Sequence, residues 1–108
     1  MNITALAILA VWILSAADHY TTYLMLSTPT PGWTVWEANP VAKWLFDTFG
    51  LGLGLTIDTI FTFVAGLWAY QTQVVFEELK IVFCLVVCAG TGYAVYNNVQ
   101  VLYTTGVW

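Results

Sequence analysis

The chain has 108 residues, 60% of them hydrophobic and only 7% charged, where soluble domains carry roughly 25% charged residues. That balance predicts one integral membrane domain over residues 1–108, all-α, with the lipid bilayer as its first partner. Six acids, Asp18, Glu37, Asp47, Asp58, Glu77 and Glu78, face two lysines, Lys43 and Lys80, which leaves no basic surface for nucleic acid.

In chain order, the first apolar run, about 3–26, is long enough to cross a hydrocarbon core that needs about 20 residues. Its start, "MNITALAILA", lacks the positive charge of a secretory signal, so it reads as a retained span. The connection "STPTPGWTVW" breaks that helix with two prolines and a glycine. "EANPVAKWLFDTFG" then predicts a short interfacial helix over about 40–49, with Asn39 as its cap and Pro40 at its first position. A second span covers about 51–70, "QTQVVFEELK" is a tight polar turn, and a third span covers about 80–102.

Tryptophans and tyrosines cluster at the ends of these runs, as interfacial belts do. One membrane face holds the long connection and the C-terminus, and the other holds the N-terminus and the tight turn. Lys43 and Lys80 fall on opposite faces, so the positive-inside rule expresses no preference between orientations. Cys84 and Cys88, four apart on one face of the third span, read as small hydrophobes and not as a disulfide or metal pair.

Gly50, Gly54, Asp58, Thr62 and Gly66 fall at spacings of four along the second span. This is a small-residue stripe of the kind that lets membrane helices approach closely, and it predicts helix packing at Gly50, Gly54 and Gly66. A homo-oligomer, or a place as a subunit in a membrane assembly, is expected on the same ground.

Ionisable groups inside a membrane are costly, at least ~2.5 kcal/mol on insertion scales, and call for a partner. At 1.5 Å of rise per residue, Asp18 lies ~12 Å and Asp58 ~11 Å below the face that holds the long connection. Asn97 and Asn98 of the third span, ~26 Å from Lys80, reach the same region. Thr21 and Thr22 follow Asp18, Thr62 follows Asp58, and Glu37 and Asn39 arrive from the connection. These oxygen-bearing residues form the expected binding site, with Asp18 pointing to Asp58 or Asn98. Asp18, Asp58 and Glu37 are the candidate ligands of a metal or other hard cation. His19 stands about 100° from Asp18 around the helix and is a candidate member of the site.

D-x-x-T-T in "DHYTT", E-x-N-P in "EANP" and the late "YNN" resemble the pattern of a family of small three-helix membrane proteins of unknown function. The pattern falls on Asp18, Thr21, Thr22, Glu37, Asn39, Pro40 and Asn98. The resemblance implies three membrane helices and no established activity. The second span in that family often carries a basic residue, where this chain has Asp58, which makes the site more acidic.

The function expected from the residues is binding or conduction of a proton or cation by a small, oligomeric membrane protein. No cofactor is expected apart from such a cation. The alternative is a viral or cellular membrane assembly protein, including a holin-like pore former, whose acids only hold helices together. A third reading, an intramembrane aspartyl enzyme, finds no Gly-x-Gly-Asp arrangement in "GLTIDT", and catalysis is not expected.

Overall fold

A computed structural model describes residues 2–108, which form four helices: α1 (Ile3–Ser27), α2 (Pro40–Phe49), α3 (Leu51–Gln71) and α4 (Glu77–Thr104). Three of them, α1, α3 and α4, are long and apolar enough to cross a membrane. α2 has the bounds that its cap sequence predicts, and α4 begins three residues before Lys80, within the stretch read as turn.

Local chemistry sets each boundary. The Asn2 side chain accepts a hydrogen bond from Ala5 N at 2.7 Å and so caps α1. Thr28, held extended before Pro29, ends that helix. The chain then reverses through Thr30-Pro31-Gly32-Trp33, where Trp33 N donates to Thr30 O at 3.0 Å and Gly32 takes φ +84°. Proline followed by a positive-φ glycine is what a type II turn requires. Asn39 Oδ1 accepts from Val41 N and Ala42 N to open α2.

Gly50, with φ +87°, separates α2 from α3 by a single residue. A Cβ at Gly50 would meet nothing within 4 Å. Its expected packing role is therefore corrected: it is a one-residue link, suited to its backbone conformation.

α1 is the central helix. It packs along α4 on one side and α3 on the other, while α2 lies on α3. The two other glycines make these approaches possible. A Cβ at Gly54 would lie 2.8 Å from Phe46 Cδ1 and 3.1 Å from the Leu45 carbonyl oxygen, and one at Gly66 would collide with the Trp12 indole. Trp12 also stacks on Phe63 with ring centroids 4.6 Å apart. The small-residue stripe is thus occupied within the chain, by α2 and α1.

The apolar side chains are distributed inside out for a protein in water. Among the described residues only Ile8, Met25, Leu55, Cys84 and Leu102 form a buried apolar core, while Phe61, Phe83 and Val86 are each about two-thirds or more exposed. Such an apolar surface far exceeds what soluble monomers tolerate. The 50 Å long axis is long enough to cross the ~40–45 Å of a bilayer with its headgroup regions.

Candidate functional site

Adjacent residues on a helix point about 100° apart. Because α1 is flanked on two sides, that angle sends Asp18 toward α4 and its neighbour His19 toward α3. The consequence is two polar contacts at one level of the bundle.

On the α4 side, Asn98 Nδ2 donates to Asp18 Oδ1 at 3.1 Å, Thr21 Oγ1 at 3.0 Å and Thr22 Oγ1 at 3.1 Å. Two hydrogens serve three acceptors, so at least one is shared. Asn98, Thr21 and Thr22 are buried. Thr22 Oγ1 also lies 3.5 Å from Asp18 Oδ1, and Thr21 Oγ1 donates to the Ala17 and Asp18 carbonyls of its own helix. Hydrogen bonding of this kind offsets the desolvation of a half-buried carboxylate.

On the α3 side, His19 Nε2 is 3.2 Å from Asp58 Oδ2, and His19 Nδ1 is 2.8 Å from Thr59 Oγ1. The Thr59 hydroxyl donates to Leu55 O at 2.8 Å. Of the two partners expected for Asp18, the structure selects Asn98, and Asp58 pairs with His19. One expectation is corrected here. Thr62 donates to the Asp58 backbone carbonyl and to no carboxylate, because a threonine inside a helix readily bonds the carbonyl four residues back.

Both contacts open on one cavity of about 250 Å³. Asp18, His19, Thr22 and Asn98 line it beside Asp58, with Tyr93 and Asn97 from α4, Ala42 and Phe46 from α2, and Glu37 and Asn39 from the connection. Glu37 Oε1 accepts from Asn39 N at 2.9 Å, which fixes the approach to α2. Asn39 itself is spent on its cap.

The expected cation ligands therefore share a cavity but not a coordination geometry. Among the described residues no group of three or more His, Cys, Asp or Glu side chains is arranged to hold a metal ion, and Asp18, Asp58 and Glu37 do not converge as such a group. Each acid is instead anchored by a different element.

Thr59 is the one polar contact of the cluster absent from the sequence reading. Nothing local signals it, since its partner is 40 residues away in sequence. Only the angular position of His19 on a helix flanked by α3 could have pointed to it. No family model, curated protein or solved structure matches this chain.

Proposed function

We propose that the chain is a small integral membrane protein that takes up and passes a proton at the cluster of Asp18, His19, Asp58 and Asn98. The observation that carries this reading is the His19–Asp58 pair, 3.2 Å apart across α1 and α3. It lines the same cavity as Asp18 and Glu37. Intramembrane carboxylates and histidines facing an interior cavity are the usual components of proton relays. A proton suits the cluster better than a metal cation, because paired donors and acceptors, not a ligand cage, surround the space. The likeness of "DHYTT" and "EANP" to a three-helix family adds an expectation of fold alone. Assembly into an oligomer belongs to the same proposal, since three helices enclose little interior of their own.

A second reading has its own support. No enclosed side-chain nitrogen or oxygen among the described residues lacks a partner, as polar glue between helices requires. Vesicles reconstituted with the full chain and loaded with a pH-sensitive dye separate the two. The proton reading expects dissipation of an imposed pH gradient, slowed in Asp58→Asn on the order of 100-fold, the low end of what a positioned proton-transferring group contributes. Wild-type vesicles as tight as protein-free ones would overturn it in favour of glue.

A further inference from the structure

We infer that His19 and Asp58 hold a single exchangeable proton between Nε2 and Oδ2, and that Thr59 is the positioning residue that keeps the second ring nitrogen, Nδ1, protonated. This rests on the proton reading above and adds to it which atoms carry the proton.

The inference follows from counting hydrogens. A threonine hydroxyl has one hydrogen, and that of Thr59 is directed to Leu55 O at 2.8 Å. Thr59 Oγ1 can then only accept from His19 Nδ1, 2.8 Å away, so Nδ1 bears a hydrogen. On the other side of the ring, Nε2 and Asp58 Oδ2 stand 3.2 Å apart. Two bare lone pairs do not meet at that distance, so one proton lies between them. It resides on Nε2, making imidazolium beside carboxylate, or on Oδ2, making neutral imidazole beside carboxylic acid. Transfer between these forms moves one proton over one hydrogen bond and leaves the net charge of the pair at zero.

The competing arrangement turns the Thr59 hydroxyl toward a bare Nδ1 and lets Nε2–H donate to an ionised Asp58. That pair carries a net negative charge inside a span, beside the acids Asp18 and Glu37 that line the same cavity. An uncompensated charge there is the costly state. Among the described residues the other elements that line the cavity offer no cation to offset it: α4 contributes Tyr93, Asn97 and Asn98 and α2 contributes Ala42 and Phe46.

His19 is the only histidine in the chain, so histidine-labelled protein in lipid vesicles gives one unambiguous pair of ring ¹⁵N resonances. Wild type at neutral pH is expected to show a protonated Nδ1. Thr59→Val should shift the ratio of the neutral ring forms toward Nε2–H by about tenfold, the weight of one hydrogen bond, and Thr59→Ser should restore it. Thr59 is exposed and valine has nearly its shape, so a loss of fold is not expected to intervene. A wild-type ring with a bare Nδ1, or a Thr59→Val ring with an unchanged ratio, would overturn the inference. Flux measured on the same vesicles keeps the two proposals apart. Nδ1–H without flux ends the transport reading alone, and flux with a bare Nδ1 ends this one alone.

Discussion

The two ends of the bundle bury charge in different ways. At the end with the tight turn, Lys80 is buried and its ammonium donates to Glu77 Oε1 at 2.9 Å and Thr72 O at 2.7 Å, while Thr4 Oγ1 donates to Glu77 Oε2 at 2.6 Å. One cation meets one anion, and the remaining oxygen of that anion is occupied. At the end with the long connection, Asp18, Asp58 and Glu37 share a cavity with a single histidine. Both ends stitch helices together by the same physics, pairing a desolvated charge with donors or an opposite charge. Both ends carry more acidic than basic groups, Glu78 being exposed at the first, but only the second gathers its acids around one cavity. What separates the two ends is therefore the shared cavity and not the burial of charge.

The largest expected effect tests how the acidic end is held. Asn98→Leu removes the donor shared by Asp18, Thr21 and Thr22 and leaves a half-buried carboxylate short of a partner. A loss of about 2–3 kcal/mol is expected, read as unfolding in mixed micelles, and adding Asp18→Asn to the same chain should recover part of it. If Asn98→Leu unfolds no more readily than wild type, Asp18 is not held by α4.

A smaller effect is expected where α2 closes the cavity. Gly54→Leu would drive a side chain into Phe46 and the Leu45 backbone, at a cost of about 1–3 kcal/mol for an overpacked contact. Amide exchange in α2 should quicken while the α1–α4 contact keeps its protection. Uniform loss of protection would show that α2 is not an independent cover.

The smallest effect belongs to the end with the tight turn. Lys80→Met replaces a buried ammonium by an apolar side chain of similar length, and because Glu77, whose side chain is 60% exposed, returns to water, no unpaired charge is left buried. The fall in melting temperature should be smaller than that of Asn98→Leu, with proton flux unchanged. A Lys80→Met chain that loses flux would join the two ends into one pathway and dissolve the contrast.

How much was legible in the residues differs between the elements and the site. The bounds of α2 could be read because Asn39 and Pro40 act on the next three residues, and because Gly50 supplies the one backbone conformation that stops it. The long apolar runs declared the other helices by length alone. Within the site, Asp18, Thr22, Asn98 and Asp58 were recognisable as polar groups at one depth, since depth is a count along each helix. His19 could be read as a candidate member about 100° from Asp18, but that angle alone does not name its partner. It points to the other neighbour of α1.

The sequence by itself determined that the chain forms three helices of membrane-crossing length and apolarity, one short capped helix, and a polar level near one end, because capping, hydropathy and axial rise are local quantities. The tertiary structure alone decided which helix is central, and with it every partner: Asn98 for Asp18, His19 for Asp58, Thr59 for His19. Partners depend on the rotation of each helix about its own axis. That rotation is set by contacts such as Trp12 over Gly66 and Phe46 against Gly54, between residues far apart in the chain, and no count along a single helix contains it.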